Sequence, residues 1–185
     1  MTAAPPRPTT TTEEKPVPVP LPGATVAPPP PTAPHDQPAL KHLRAEGVWE
    51  GRQRTRLRVR QFDGLATGEP VPVGGDDSAP TPMELVLAAL DGCLVVVVET
   101  VAAELGLRLT ALEVASEAAI DVRGFRGVPG VRPHFAHVAT VVRVRTPDEG
   151  ERWARCAAEV ERRCPALNLV RDAGVPASVD WQVSS

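Results

Sequence analysis

Residues Ala45 to Trp49 and Thr55 to Phe62 alternate apolar and polar side chains on either side of Glu50-Gly51-Arg52-Gln53. A period of two is that of a half-buried strand, so the two runs predict a β-hairpin. Residues 63–80 then carry Gly64, Gly68, Gly74 and Gly75 with three prolines and read as a long loop, a feature often kept for function. The pattern changes after Pro80. From Leu85 to Val98 almost every position is apolar, and the boundary signals are those of a helix: Thr81 as N-cap, Pro82 in the first position, Glu84 closing a capping box and Gly106 as the stop. Within this span of about 22 residues only Asp91, Glu99 and Glu104 break the apolar run past the first turn. A helix apolar on every face is a central helix, and burial must override the poor helix propensity of Val95 to Val98.

Leu107 to Val122 and His134 to Arg145 alternate again and predict two strands joined by the Gly/Pro-rich stretch Arg123 to Gly130. Thr146-Pro147-Asp148-Glu149 repeats the Thr-Pro-x-Glu arrangement and predicts a second helix running through Arg163. Cys164 precedes Pro165, which biases it out of helical geometry; a helical turn over Ala166 to Asp172, a stop at Gly174 and a strand over Ala177 to Val183 follow. The predicted order is ββ-α-ββ-α-β, an α+β domain in which an antiparallel sheet wraps around a buried central helix. So few elements cannot surround a helix this apolar, and a homodimer in which two central helices pack together is expected.

Composition limits where this fold lies. The first 38 residues hold 13 of the 22 prolines in a Thr/Pro/Ala-rich vocabulary with no periodic apolar face. They read as a disordered, partly polyproline tail, and residues 39–185 as the folded domain. No cationic leader with an apolar core and cleavage site opens the chain, so a cytoplasmic protein is expected. The Leu85 to Val98 stretch falls short of the roughly 20 residues that cross a bilayer and contains Asp91, so no membrane partner is expected.

The formal net charge of −3 and the scatter of basic residues give no reason to expect a nucleic-acid partner. Arg52, Arg54, Arg56, Arg58 and Arg60 recur with period two, and a solvated strand face accounts for them.

Three cysteines, Cys93, Cys156 and Cys164, are too few and too widely spaced for a disulfide scaffold, and none forms a Cys-x-x-Cys pair. Cys156 shares a face with Trp153, Ala157 and Val160 and reads as core. His134 and His137, three apart on a strand, face opposite ways, which disfavours a shared metal. Cys93 shares its stripe with Val86, Ala89, Leu90, Val96, Val97 and Thr100, none of them charged. Such surroundings raise a thiol pKa, and the helix amino end is too far away to lower it. A reactive Cys93 therefore needs a cation from another element, and the hairpin arginines are the abundant supply. Asp91 would oppose a thiolate if it were close, but two residues along a helix it points away, toward a dimer rim or a polar pocket.

The run Gly74-Gly75-Asp76-Asp77-Ser78-Ala79-Pro80-Thr81-Pro82-Met83-Glu84-Leu85, continued by Ala88-Ala89-Leu90-Asp91-Gly92-Cys93, resembles the Gly-Gly, Pro-x-Pro-x-Glu-Leu, Ala-Ala and Gly-Cys pattern of the OsmC/Ohr family. Cys164-Pro165 resembles that family's second cysteine, and Asp121-Val122-Arg123-Gly124-Phe125 is similar to a segment of one OsmC-like subgroup. The resemblance implies an intertwined homodimer that reduces organic hydroperoxides without metal or bound cofactor, an external dithiol restoring it. It implies Cys93 as the peroxidatic thiolate and Cys164 as the thiol that resolves the sulfenic acid to a disulfide.

The same resemblance implies a hairpin arginine that polarises thiolate and peroxide, Arg52 by position with Arg54 as the alternative, and a glutamate near the helix start that holds it. Glu84 is the acid available, although peroxide-reducing members place theirs one residue earlier, where this chain has Met83. Nine residues before Cys93, Glu84 lies roughly 13 Å up the helix axis on the opposite face and does not touch the sulfur. The competing expectation is a catalytically silent OsmC-like dimer that binds a small apolar ligand or a protein partner.

Overall fold

The computed structural model describes residues 38–185, so the expected tail of residues 1–38 lies, but for its last residue, outside the described residues. The chain opens with an antiparallel meander of β1 (Glu46–Gly51), β2 (Arg54–Val59) and β3 (Phe62–Thr67). The third strand corrects the expected loop over residues 63–80. Arg60, with φ 55°, turns the chain back on itself and sets Leu65 opposite Leu57; Gly64, read as loop punctuation, lies within the strand. The arginines of β2 do form a solvated face, Arg56 pairing with Glu50 and Arg58 with Glu46 on β1.

Helix α1 (Pro82–Glu104) begins as the sequence indicates: the Thr81 hydroxyl accepts from the Glu84 N–H at 3.2 Å, and the Glu84 carboxylate accepts from the Thr81 N–H at 2.7 Å. A second sheet follows, of β4 (Ala111–Ile120), β5 (Phe135–Arg145) and β6 (Ala177–Ser184), with the one-turn helix α2 (Val122–Phe125) between β4 and β5. Helices α3 (Glu151–Arg163) and α4 (Pro165–Asp172) connect β5 to β6. The fold is thus α+β, but with two three-stranded sheets, and β6 runs parallel to β5, not antiparallel. The reason is the crossover through α3 and α4, which carries the chain back to the start of β5 before β6 begins. Alternation identifies a strand but not its direction.

A second correction concerns the start of α3. Thr146 is fully buried and accepts the Asp148 N–H in a local turn, while its own N–H donates to Ser184 O. The helix begins five residues later, after Gly150 at φ 74°. The Thr-Pro-x-Glu run here closes the sheet end and does not cap a helix.

Leu90, Leu94, Val98 and Val101 of α1 meet Val138, Val142 and Val144 of β5, Trp153 and Val160 of α3 and Leu167 of α4 in one core. The opposite side of α1 is bare: Val96 is 61% exposed and Val86 is likewise uncovered. The meander makes no extensive contact with the helices or the second sheet, and Trp49 on it is 77% exposed. By length and composition alone α1, at 23 residues, is able to cross a membrane, so the expected shortfall in length does not hold for the helix as formed. Its other side is nevertheless built into the protein core, and Glu104 at its end is paired with Arg163 of α3.

The capping box gives a direct test. Thr81→Ala removes the N-cap acceptor and is expected to destabilise the protein by about 1 kcal/mol in denaturant unfolding. The N–H of Thr81, then its hydroxyl, holds the Glu84 carboxyl below its ordinary value of 4.5. The sign follows from linkage: a depressed carboxyl stabilises above its unfolded value and loses that contribution as pH falls through its folded one. Glu84→Ala is therefore expected to lower the unfolding midpoint at pH 7 and to leave it close to native under acid. An equal loss at both pH values would show that the charge of the cap plays no part.

Candidate active site

The site is assembled at the corner between α3 and α4. Cys164 sits between the two helices with φ −68° and ψ 112°, held extended by the following Pro165. Asn168 fixes the corner: its Nδ2 donates to Glu161 O at 3.0 Å, a carbonyl that the end of α3 leaves open, and to Cys164 O at 2.8 Å, which also accepts the Asn168 backbone N–H. The same corner turns the Cys164 sulfur toward α1, where Cys93 is its neighbour and packs against the same core. Of the residues singled out in the sequence, Cys93 and Cys164 are the two that the fold brings together, 71 positions apart in the chain.

The two thiols differ in environment. Cys93 is partly exposed on the open side of α1, and Cys164 is 0% exposed. Burial pushes the Cys164 thiol up to about 11; its neighbour Cys93 adds to that, while the N–H groups of Leu167 and Ala166 in the first turn of α4 donate to the sulfur and pull the other way. Cys164 is thus a protonated thiol at neutral pH whose anion, once formed, meets backbone donors already in place. Cys156 is also fully buried, beside Trp153 and Val160, and burial alone raises it to about 11. It has the core role expected of it.

Asp91 lies in a polar pocket. The Ser116 hydroxyl of β4 donates to its carboxylate at 2.5 Å, and Thr140 of β5 lies 2.7 Å from the same hydroxyl. These partners anchor α1 to the second sheet. Ser116, Thr140 and Asn168 are positioning residues missed by the sequence reading. The strand alternation placed Ser116 and Thr140 on β4 and β5, but cross-strand register decides that they meet.

The arginines and Glu84 take other partners within the chain. Arg52 and Gln53 form the β1–β2 turn in left-handed conformations, with φ 47° and 61°, a two-residue turn whose twist suits the hairpin but which ordinarily favours Asn and Gly. The turn is tied to the following loop: Arg52 donates to Gly75 O at 3.2 Å, Gln53 to Val73 O at 3.0 Å, and Arg54 to the Ser78 hydroxyl at 2.6 Å as well as to Glu50. Gly75 itself admits no side chain, since a Cβ there would lie 1.7 Å from Glu69 O. Hairpin turn and loop therefore form one unit that leads into α1, in which the Asp76 carboxyl is held below its usual range first by the Ser78 hydroxyl and also by the charges of Arg52 and Arg54. Glu84 is engaged in its cap, and Met83 packs against the core. Among the described residues no group of three or more His, Cys, Asp or Glu side chains converges.

Comparison with known proteins places the fold. The profile of the OsmC-like protein family matches residues 75–180, which include both cysteines. No curated protein matches the sequence. Among solved structures, an OsmC-like protein from Mycoplasma pneumoniae superposes with a TM-score of 0.67 at 14% identity, over 78% of this chain and 99% of the other. An organic hydroperoxide resistance protein OsmC from Legionella pneumophila gives 0.54 at 20% identity, over 80% and 100%. A putative organic hydroperoxide resistance protein from Vibrio cholerae, with captopril bound in one of its active sites, gives 0.55 at 19% identity, over 80% and 94%.

The contrast between the thiols is open to chemical mapping. Iodoacetamide at mildly alkaline pH is expected to modify Cys93 first and to leave Cys156 and Cys164 untouched until the protein is denatured, as read by peptide mass spectrometry. Equal rates at Cys93 and Cys164 would contradict the burial described.

Proposed function

Since this chain belongs to the OsmC-like protein family, we propose that it is a thiol-dependent peroxide reductase acting on organic hydroperoxides. The observation that carries the reading is the half-exposed Cys93 held against the fully buried Cys164. In the first step the Cys93 thiolate attacks the terminal oxygen of the peroxide; the O–O bond breaks, and the alkoxide takes a proton and leaves as alcohol. Cys93 is now a sulfenic acid, shielded from bulk water on one side by the core. Cys164 attacks its sulfur, a disulfide forms, and the hydroxyl leaves as water with the thiol proton. Two thiols of an external dithiol then return both cysteines to the reduced state and are themselves oxidised to a disulfide.

The working form in this proposal is a homodimer, which supplies what the single chain lacks. The bare side of α1 and the unattached meander are two apolar surfaces of one protein, and a second copy covers both. The dimer brings the Arg52 unit toward a thiol and encloses the peroxide between subunits. Arg52 is the proposed activating cation, with Arg54 as its alternative; Glu84 acts on it through the helix start. The cell compartment that fits this reducing cycle is the cytoplasm. The engagement of Glu84 in the cap, with Met83 one position earlier, favours as a second reading the silent dimer that binds an apolar ligand or a protein.

One equivalent of cumene hydroperoxide added to the reduced protein is expected to yield a Cys93–Cys164 disulfide by mass spectrometry, absent in Cys93→Ser, with Cys164→Ser accumulating the sulfenic and then sulfinic acid. Arg52→Ala is expected to slow the step by about 10²-fold or more, the scale of losing a charged group that stabilises a transition state. Retention of all free thiols at every dose selects the silent dimer. Light scattering of native protein is expected to give the mass of a dimer, and Val96→Asp, by placing a charge on the open face of α1, to give a monomer or insoluble protein. A native monomer would rule out the assembly.

A further inference from the structure

A cavity of about 340 Å³ lies between α2, the start of β5 and the loop from α4 to β6, and neither Cys93 nor Cys164 lines it. That volume is at the lower end of small-molecule sites, roughly 300–1,000 Å³. Val131, Phe135 and Pro176 give it an apolar wall; Arg123, Arg132 and His134 line it as well, together with the Asp121 carboxylate.

The charged side is built by backbone constraints. A Cβ at Gly124 would lie 2.6 Å from Arg132 O and 2.9 Å from Pro133 Cα, so α2 rests directly on the Arg132–Pro133 backbone in a way only glycine permits. Gly174, at φ 73°, stands beside the side chain: a Cβ there would be in ordinary contact, 3.6 Å from Arg132 Nη1, so the guanidinium lies next to the turn.

Charge accounting singles out one group. Arg123 is taken up by Asp121, which accepts from its backbone N–H at 3.0 Å and from its Nε and Nη2. That carboxyl is held down to about 2, first by the Arg123 side chain, so Asp121 stays ionised and balances Arg123. His134 Nδ1 meets Phe135 O at 2.8 Å, which leaves Nε2 free for a ligand. Arg132 has no hydrogen-bond or ion-pair partner among the described residues. A guanidinium that lines a cavity without a counter-charge has five donors to offer to an oxyanion.

We propose that this cavity binds a small organic anion, its carboxylate or phosphate on Arg132 and His134 and its apolar body against Val131, Phe135 and Pro176. The site gives a physical role to the Asp121-Val122-Arg123-Gly124-Phe125 segment: Asp121 neutralises Arg123, and Gly124 sets the backbone that carries Arg132. It does not depend on peroxide chemistry, and it stands or falls separately.

Isothermal titration of the full chain with benzoate, phenyl phosphate and neutral benzyl alcohol tests the proposal. At least one anion is expected to bind, the alcohol is not, and Arg132→Gln is expected to weaken the anion by about tenfold, the scale of a charge-assisted hydrogen-bond pair. Whichever anion binds more tightly names the head group. Equal binding by benzyl alcohol, unchanged affinity in a folded Arg132→Gln protein, or no binding of either anion into the millimolar range would overturn it. Should Arg132→Gln fail to fold, the contrast between anion and alcohol on the native protein decides.

Discussion

The structure depends on the burial of helix α1. Its 23 residues are apolar nearly all round, with a row of β-branched valines that propensity alone would not make helical. Packing against the second sheet and α3 covers one side, and that contact organises the domain: the β5–α3–α4–β6 crossover is the length of chain needed to wrap around it. The other side has no cover among the described residues. An isolated apolar face of this length on a free monomer would be an aggregation surface, and the detached meander is of the right character to close it. The reading as a dimer thus follows from the same driving force that makes the helix.

Cys93 derives its properties from lying at the border of these two sides. Fully inside, it would resemble Cys156, a raised thiol with no access; fully outside, it would have no second sulfur beside it. Cys164 reaches it because Pro165 breaks the α3–α4 path and Asn168 holds the break. The first turn of α4 then places two backbone N–H groups on the buried sulfur. Asp91, the nearest acid in sequence, is engaged by Ser116, which Thr140 meets in turn, so α1 is fastened to the second sheet two residues from the thiol.

Much of this was legible in the sequence. The capping box at Thr81 and Glu84, the uniform apolarity of α1 and the Cys-Pro corner are local signals, and the structure contains each of them. What failed were features set by partners distant in the chain. The strand Phe62–Thr67 has weak alternation and a glycine, and forms because β2 offers it an edge. The Thr-Pro-x-Glu run at Thr146 has the composition of a helix start, but the Ser184 carbonyl takes its N–H and buries it in the sheet end. The parallel placement of β6 depends on where the crossover returns, which periodicity does not encode. The pairing of Asp91 with Ser116 needs the register of two strands and a helix at once.

The proposed function requires the hairpin turn to meet the thiol of a second copy. Arg52 stands on a turn whose two central residues adopt left-handed backbone, a conformation that costs of order 1–2 kcal/mol per non-glycine residue. Hydrogen bonds to Val73 and Gly75 offset that cost in the isolated chain. The bond from Arg52 ends on a neutral carbonyl, and a guanidinium gains more from an anion than from such a carbonyl. In the proposed dimer a thiolate or peroxide oxygen of a second copy competes with that carbonyl and with the nearby Asp76 for Arg52, while Gln53 and Arg54 keep the turn on its loop. In that arrangement the sequence position that carries backbone strain is also the one whose side chain has the most to gain by exchanging partners.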